Sequence, residues 1–211
     1  MIRIMLVDDH AVVREGYRRL IEKHGGMQVV AEAADGADAY AQYKRHKPDV
    51  VVLDLSMPGK GGIEVLRHLR QWDEAAKVLV FSMHENTAYA VQAFQAGAKG
   101  YITKSSPPAL LIEAIRDVAA GRRALGPDLS EALAVTHLDG ERGPIDGLTA
   151  REFDIFRMLA AARSGEEIAR TLNLSAKTVA NYHYIIKSKL GVASDVELVH
   201  LALKYRIIDP A

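Results

Sequence analysis

With 211 residues, the chain is longer than a typical domain of about 100 to 150 residues, so one enlarged domain and two small domains both remain open. Hydrophobic residues make up 49% and charged residues 26%, which excludes a chain that is disordered along its whole length. The 27 basic and 27 acidic residues balance, so a nucleic-acid partner must be argued from local charge. The absence of cysteine excludes disulfide frameworks and thiolate metal sites.

The first apolar run does not predict secretion or membrane insertion. It extends from Ile2 to Val7 and is interrupted at once by Asp8 and Asp9, so it is too short for a signal-peptide core or a membrane span. A chain without cysteine also suits a reducing compartment. We therefore expect a cytoplasmic protein with no membrane partner.

Residues 1–121 alternate short β-rich runs with amphipathic stretches of about ten to fifteen residues, which is typical of βαβ units around a parallel sheet. The predicted strands are Arg3 to Val7, Gln28 to Ala33, Asp49 to Leu53, Lys77 to Ser82 and Gly100 to Thr103. The sequence thus predicts an α/β fold with a doubly wound, five-stranded parallel sheet. Such folds bind ligands beyond the carboxyl ends of their strands.

A less periodic segment, residues 122–147, follows the predicted sheet. Residues 137–147 are polar and rich in glycine, which is typical of a linker. A short helix is predicted over residues 128–135. We therefore expect two domains joined by this linker.

The last part of the chain, residues 148–211, is predicted to form a small all-α domain. Capping-box patterns, in which a hydroxyl residue is followed three positions later by Glu, mark helix starts at Thr149, Ser164 and Ser194. Ser175 is a fourth expected N-cap. Four short helices are therefore expected.

Three carboxylates occur at the carboxyl ends of two predicted strands. Asp8 and Asp9 follow the first strand and Asp54 follows the third, so a doubly wound sheet brings them to one edge. Two carboxylates about 4 Å apart repel by roughly 1 kcal/mol in water and about 4 kcal/mol at an effective dielectric of 20. Because Mg²⁺ prefers such oxygen ligands, the sequence predicts a Mg²⁺ site. His10 and His84 flank it and are interpreted as lining its rim.

Ser82 and Lys104 complete the predicted site. Ser82 ends the fourth strand with a hydroxyl donor, and Lys104 follows the fifth with a cation. Phosphoryl transfer to a carboxylate needs an acceptor oxygen, a metal that neutralises developing charge, and fixed donors to the phosphoryl oxygens. We expect Asp54 to accept the phosphoryl group and Asp9 and Asp54 to hold the metal. Ser82 and Lys104 would hold the phosphoryl oxygens.

These residues resemble the receiver domain of two-component response regulators, which has a flavodoxin-like fold. The resemblance covers residues 1–121 and is carried by Val7–His10, Leu53–Gly59, Ser82, Gly100–Tyr101 and Lys104. It implies that Asp54 is the phosphoacceptor and Asp9 a direct metal ligand. It also implies that Asp8 binds the metal through water and Ser56 through its backbone carbonyl.

The resemblance gives Tyr101 the role of an aromatic switch residue. In the family, this ring turns inward when the hydroxyl equivalent to that of Ser82 moves toward the phosphoryl group. The chain departs from the family pattern in one loop. Many receivers place proline directly after the lysine, whereas two serines lie between Lys104 and Pro107 here, so the family's cis peptide is not transferred.

Residues 166–190 have the pattern of a helix-turn-helix. One helix is predicted to end near Leu172, and after a two-residue turn a second opens at Ser175. Their apolar residues are spaced to pack together: Ile168, Leu172, Leu174, Val179, Tyr182 and Ile186. Residues 173–194 contain three lysines and no acidic residue, so positive charge is concentrated where a helix would meet phosphates.

One face of the second helix is predicted to contact DNA, through Lys177, Thr178, Ala180, Asn181, Tyr184 and Lys187. Asn181 would read adenine in the major groove, and Lys177 and Lys187 would contact phosphates. Tyr184 discriminates between two interpretations. An exposed ring suits nucleic acid or a partner surface, whereas a buried ring indicates only core packing.

This region resembles the LuxR-type DNA-binding domain over residues 147–208, through Leu148–Glu152, Glu167–Ala169, Lys177–Val179 and Lys189–Val192. With the receiver, the chain resembles the NarL/FixJ class of response regulators. The resemblance implies that the third helix of the domain enters the major groove and that the fourth, Ser194 to Lys204, forms a dimer contact. Ala180 replaces a basic residue and Tyr182 a histidine found in many members, so sequence preference is not transferred.

The sequence therefore predicts a response regulator that a sensor histidine kinase phosphorylates on Asp54 and that regulates transcription by binding promoter DNA. It would not be an enzyme beyond promoting its own phosphorylation and dephosphorylation. We expect a homodimer when it is phosphorylated or DNA-bound, on half-sites about 10 base pairs apart. Two alternatives are a Mg²⁺-dependent phosphohydrolase with an aspartyl-phosphate intermediate and an interaction protein whose helical domain binds protein.

Overall fold

The computed structural model of the chain describes residues 1–57, 61–131, 144–205 and 207–208. These residues pack as two compact units. The first contains Met1–Glu85 and Ala93–Glu131, and the second contains Asn86–Gln92 and the described residues from 144 onward. No helix in the described part of the chain is long and apolar enough to span a membrane.

The first unit is built on a fully parallel sheet of six strands. They are β1 (Ile2–Val7), β2 (Met27–Ala33), β3 (Val50–Leu53), β4 (Val78–Ser82), β5 (Gly100–Thr103) and β6 (Ala124–Leu125). Their order is β2-β1-β3-β4-β5-β6, so the chain winds outward in both directions from β1 and β3. The doubly wound fold and the five predicted strands are confirmed. The sixth strand is only two residues long and shows no periodicity in the sequence.

The helices of this unit are α1 (Ala11–Lys23), α2 (Gly36–His46), α3 (Gly62–Trp72), part of α4 (Thr87–Gln95), α5 (Pro108–Ala119) and α6 (127–131). Every residue of β3 and β4 is buried, as expected for continuous apolar runs in a parallel sheet. Core residues of the strands, such as Ile4 and Leu79, form one buried cluster with Ile21 of α1 and Ile115 of α5. This buried cluster holds the strands in place, and their carboxyl ends form one edge of the sheet.

Part of the predicted linker lies outside the described residues. Residues 127–131 are helical, which agrees with the start of the helix expected over residues 128–135. Residues 132–143 are not described, and the rest of that helix and most of the linker fall there.

The second unit contains η1 (Pro144–Gly147), α7 (Ala150–Ala160), α8 (Gly165–Leu172), α9 (Ala176–Leu190) and α10 (Asp195–Lys204). The four expected helices, α7 to α10, are confirmed. Thr149 and Ser164 form complete capping boxes, and Ser175 caps α9 by accepting the Thr178 N–H.

The expected capping box at Ser194 forms only in part. Its hydroxyl accepts the Glu197 N–H, as predicted. The Glu197 carboxylate, however, accepts the N–H of Ala193 at 3.0 Å instead of that of Ser194. Ser194 is therefore the N-cap, as predicted, and only the reciprocal hydrogen bond is made one residue upstream.

The helix-turn-helix has the predicted boundaries. α8 ends at Leu172, and Asn173 adopts the left-handed region (φ 52°) that lets the chain turn. Ile168 of α8 packs in the core with Val179 and Ile186 of α9, and all three are almost fully buried. The apolar stripe of α9 therefore faces inward, and its opposite side is left to solvent.

The first six residues of α4 belong to the second unit. The Tyr89 ring packs edge-on against Phe153 of α7 with centroids 4.9 Å apart, and the buried Gln92 side chain donates to the Leu148 carbonyl at 2.8 Å. The sequence does not predict these two contacts, because a helical pattern shows that a face is buried but not what covers it.

Glu152 provides a test of the C-terminal packing. Its buried carboxylate accepts hydrogen bonds from Lys189 Nζ and the Thr149 N–H, each at 2.7 Å. Burial would raise the pKa of Glu152, but these hydrogen bonds outweigh it and the pKa lies below its usual value. We predict that Glu152→Gln lowers the free energy of unfolding at pH 7 by about 1 to 3 kcal/mol.

Because the folded pKa is depressed, this stabilisation is present above the unfolded pKa of about 4.3 and is lost as pH falls through the folded pKa. Urea denaturation of the full chain at neutral and acidic pH measures it, with exposed Glu166→Gln as the control. A stability deficit that is the same at both pH values would contradict the ion-pair explanation.

Candidate functional site

Three aspartates meet at the carboxyl edge of the sheet. Asp8 and Asp9 follow β1, and Asp54 follows β3. Since these strands are neighbours, the Asp54 N–H donates to the Val7 carbonyl at 2.8 Å. One oxygen from each carboxylate and a ring nitrogen of His10 lie within 4.8 Å of one another. The convergence expected from the strand order is therefore present.

Lys104 joins two of these carboxylates. Its Nζ lies 2.6 Å from Asp8 Oδ2 and 2.7 Å from Asp54 Oδ2, and its side chain is only 8% exposed. Its backbone N–H donates to the Ser82 carbonyl at 2.8 Å, which ties the end of β5 to that of β4. Burial alone would lower the pKa of Lys104, but the hydrogen bonds to Asp54 and Asp8 outweigh burial and raise it. The ammonium group is therefore held in its charged form.

One lysine does not balance three carboxylates. Asp54 Oδ1 also accepts the Ser56 N–H at 3.0 Å, and Asp8 Oδ1 accepts the His10 N–H at 2.8 Å. The buried Oδ1 of Asp9 has no hydrogen-bond donor among the described residues. His10 Nδ1 lies 2.9 Å from this oxygen, within ion-pair distance but without hydrogen-bond geometry. A buried oxygen without a donor beside two more carboxylates fits a hard divalent cation such as Mg²⁺.

Ser82 and Tyr101 contact the same residue of the loop after β4. Both are fully buried. Ser82 Oγ accepts the His84 N–H at 3.3 Å, and the Tyr101 hydroxyl donates to the His84 carbonyl at 2.8 Å. The ring of Tyr101 is therefore turned inward. Its hydrogen-bond acceptor, His84, is two residues after Ser82 in the chain.

The two histidines expected at the rim differ in their contacts. The side chain of His10 is 63% exposed, whereas that of His84 is half-buried. His84 Nε2 lies 3.3 Å from Ser56 Oγ, so this ring connects the loops that follow β3 and β4. The motif residues Pro58 and Gly59 lie outside the described part of the chain.

Two positions that shape the site were not identified from the sequence. Arg14 of α1 donates to the Asp8 carbonyl and so fixes the backbone beside the acidic pair. Gly62 begins α3 against the Asp54 backbone, where a Cβ atom would lie 2.4 Å from the Asp54 carbonyl oxygen. The paired glycines at 61 and 62 were the available signal, because Gly61 also needs a positive φ of 75°.

The loop after β5 contains the two serines that depart from the family pattern. The Thr103 hydroxyl lies 2.8 Å from Ser106 Oγ and accepts from Ser105 Oγ at 3.1 Å. All peptide bonds of the described residues are trans. This hydroxyl cluster leads from Lys104 to Pro107, which occupies the N-cap position of α5 without a side-chain hydrogen bond to the helix.

The outer face of α9 presents most of the side chains expected to contact DNA. Lys177, Ala180 and Asn181 are exposed, and the Tyr184 side chain is 75% exposed. The exposure of Tyr184 favours a binding surface over core packing. Thr178 differs, because its hydroxyl lies 2.8 Å from Ser175 Oγ and belongs to the helix cap.

Two of the three lysines counted as positive charge on this segment are paired with carboxylates. Lys189 contacts Glu152 at 2.7 Å, and Lys187 contacts Asp195 at 3.1 Å. Lys177 forms no ion pair with any described residue. Residues 173–194 therefore carry less unpaired positive charge than the number of their lysines indicates.

The helix expected to form a dimer contact is present as α10. Ser194 is its N-cap, and the helix extends to Lys204. Leu198 and Ala202 are buried, whereas Val196 is 65% exposed. α10 therefore has one face in the core and one apolar side chain available to a partner.

Two family models match separate parts of the chain. A family model for the response regulator receiver domain matches residues 4–116. A model for bacterial regulatory proteins of the luxR family matches residues 146–202.

The chain is also similar, over nearly its whole length, to two response regulators. It is 38% identical over 207 residues to the response regulator UvrY of Escherichia coli K12, covering 97% of this chain and 95% of the relative. It is 38% identical over 213 residues to the response regulator GacA of Pseudomonas aeruginosa, covering 100% of both. A structure of RcsB from Salmonella enterica serovar Typhimurium, bound to a promoter in the presence of phosphomimetic BeF3⁻, has a TM-score of 0.76 at 25% identity, covering 95% of this chain and 97% of that one.

Removing the Lys104 ammonium tests the electrostatics of the acidic site. In Lys104→Ala, the buried carboxylates of Asp8 and Asp54 lose their counter-charge, which we expect to cost about 3 to 5 kcal/mol of folding free energy. Excess MgCl₂ should restore more stability to this variant than to the wild type, because a cation takes the place of the ammonium. Thermal unfolding with and without MgCl₂ measures this.

The matched control is Lys23→Ala, which removes an exposed lysine from the same unit. If Mg²⁺ stabilised both variants and the wild type equally, the proposed role of Lys104 in neutralising the cluster would be wrong.

Proposed function

The chain belongs to the two-component response regulators that combine a receiver domain with a LuxR-type DNA-binding domain, and we propose that phosphorylation of Asp54 controls its binding to promoter DNA. Members of this family are DNA-binding regulators and not classical enzymes. The observation that carries the proposal is the geometry around Asp54. Its carboxylate lies between the Lys104 ammonium and the Ser56 N–H, beside the donor-free oxygen of Asp9.

In this proposal, Asp54 is the phosphoacceptor. Asp8, Asp9, Asp54 and the Ser56 carbonyl would hold Mg²⁺, which supplies neutralisation of the negative charge on the transferred group. Lys104 is shared between two carboxylates before transfer. A phosphoryl group on Asp54 adds charge and acceptor oxygens within reach of this ammonium, so Lys104 changes partner and fixes the new group.

The switch would act through the loop after β4. Ser82 Oγ uses a lone pair to accept the His84 N–H, so its hydroxyl hydrogen can be donated to a phosphoryl oxygen. Movement of Ser82 would displace His84, whose carbonyl accepts the Tyr101 hydroxyl. The buried hydroxyl of Tyr101 must keep or replace this hydrogen bond when His84 moves. The position of the Tyr101 ring would therefore depend on the phosphorylation state.

The C-terminal domain would bind DNA through α9. Lys177 and Lys187 would contact phosphates, and Asn181, Ala180 and Tyr184 would lie in the major groove. Thr178 would also contact DNA, from the first turn of the helix where its hydroxyl contacts the cap residue Ser175.

We propose the domain boundaries 1–121 for the receiver, 122–147 for the linker and 148–211 for the DNA-binding domain. The partners would be a cognate sensor histidine kinase, promoter DNA and a second copy of the chain in the cytoplasm. The dimer would form through α10 when the protein is phosphorylated or bound to DNA. The structure of RcsB bound to a promoter in the presence of a phosphomimetic supports the proposed link between phosphorylation and DNA binding. Beyond its own phosphorylation and dephosphorylation, the chain would carry no enzymatic activity.

DNA capture and sequencing tests the proposal. We expect the wild type to enrich a specific sequence, and acetyl phosphate with Mg²⁺ to strengthen that enrichment. Asp54→Asn should abolish the strengthening, whereas Asp128→Asn, which changes an exposed aspartate of the same unit, should retain it. Footprints should cover two half-sites about 10 base pairs apart.

Other outcomes separate the two halves of the proposal. Specific binding that ignores acetyl phosphate would retain the DNA-binding domain and contradict the switch. No enrichment in any state would favour a protein-interaction domain, and rapid turnover of phosphomonoesters would favour a phosphohydrolase.

A further inference from the structure

Asp195, the first residue of α10, contacts a histidine and a lysine of α9. Its Oδ1 lies 2.8 Å from His183 Nε2 and 3.1 Å from Lys187 Nζ. The two side chains are one helical turn apart, so one carboxylate reaches both. The hydrogen bond from Lys187 is the largest cause of a pKa for Asp195 below its usual value.

This carboxylate lies at the edge of the face of α9 that would meet DNA. Lys187 lies three residues after Tyr184 and seven after Ala180, spacings that place all three on one side of a helix. The side chain of Lys187 is 25% exposed, whereas that of Asp195 is 66% exposed. Solvent, salt and an arriving phosphate can therefore reach the pair.

The contacts of Asp195 differ from those of a helix cap. Ser194 and Glu197 already satisfy backbone N–H groups at the start of α10. The hydrogen bonds of the Asp195 side chain among the described residues are instead with α9. An acidic residue in the first turn of a helix interacts favourably with the helix dipole whatever the direction of its side chain. This interaction therefore does not explain why the Asp195 side chain contacts two residues of α9.

We propose that Asp195 competes with DNA phosphates for Lys187 and so limits the affinity of α9 for the DNA backbone. This inference rests on the proposed DNA-contacting face of α9. An exposed ion pair is weak, so a phosphate can displace the carboxylate. The displaced carboxylate nevertheless stays beside the phosphate and repels it, which makes the Lys187 contact less favourable than one made by an unpaired lysine.

Asp195→Asn keeps the size of the side chain and removes its charge. Binding to a fluorescein-labelled, random-sequence duplex of about 30 base pairs can be followed by anisotropy over a series of salt concentrations. At low salt we expect the variant to bind about threefold to tenfold more tightly than the wild type. The slope of log affinity against log salt should steepen by about one, because one more unpaired cation meets a phosphate.

Glu166→Gln is the matched control, since it removes one exposed negative charge from the same unit at α8. It should change affinity by less than about twofold. Equal tightening by Glu166→Gln and Asp195→Asn would show that net charge is responsible, and no tightening by Asp195→Asn would overturn the proposal. Asp195→Ser serves as a second neutral variant that suits a helix start, and thermal unfolding checks that both variants fold.

Two further variants identify the interaction. With Lys187→Gln as the background, Asp195→Asn should have little effect, because the competed side chain is gone. Lys177→Gln tests the face itself. If it leaves affinity unchanged, the assignment of α9 as the DNA-contacting helix is wrong, whereas if it weakens binding and Asp195→Asn does not tighten it, only the competition is wrong.

Discussion

The ammonium group of Lys104, shared between the carboxylates of Asp8 and Asp54, is the contact on which the N-terminal site depends. It joins the ends of β1, β3 and β5, and its backbone is bonded to the end of β4. Burial makes this contact strong and its loss costly, because each group would otherwise be an unpaired charge away from water. The same contact leaves the cluster incomplete. Asp9 retains a buried oxygen without a hydrogen-bond donor. The excess negative charge of the site therefore favours binding of a cation beside Asp54.

The C-terminal unit uses the same pairing of lysine and carboxylate in two different settings. Glu152 is 7% exposed at its side chain and pairs with Lys189, so that pair stabilises the packing of α9 against α7. Asp195 is 66% exposed and pairs with Lys187, so that pair is open to exchange with solvent and ligands. The exposure of the carboxylate, rather than that of the lysine, thus decides which pair is structural and which is open to exchange. The positive charge that α9 presents to a ligand therefore depends on the carboxylates of neighbouring helices as well as on its own lysines.

Much of the architecture followed from the sequence because its signals are local. Each predicted strand ended at the observed residue, since apolar runs stop where polar or charged residues begin. The meeting of Asp8 and Asp54 then followed from strand order, and Ser164 and Ser175 cap helices at the predicted positions.

The features that escaped prediction depend on contacts between distant segments. The two residues of β6 are too few for a pattern. The buried face of α4 does not reveal that Tyr89 packs on Phe153, and the count of lysines does not reveal that Asp195 approaches Lys187 from another helix. The local sequence indicates which apolar faces and charged groups need partners, but the partners are known only from the folded structure.

Chemical trapping tests most directly whether Asp54 is the residue that receives the phosphoryl group. The full chain would be treated with acetyl phosphate and Mg²⁺, reduced with borohydride, which converts an aspartyl phosphate to homoserine, and mapped by peptide mass spectrometry. We expect homoserine at Asp54 alone, and none when acetyl phosphate is omitted. Homoserine at another aspartate, or at none, would contradict it.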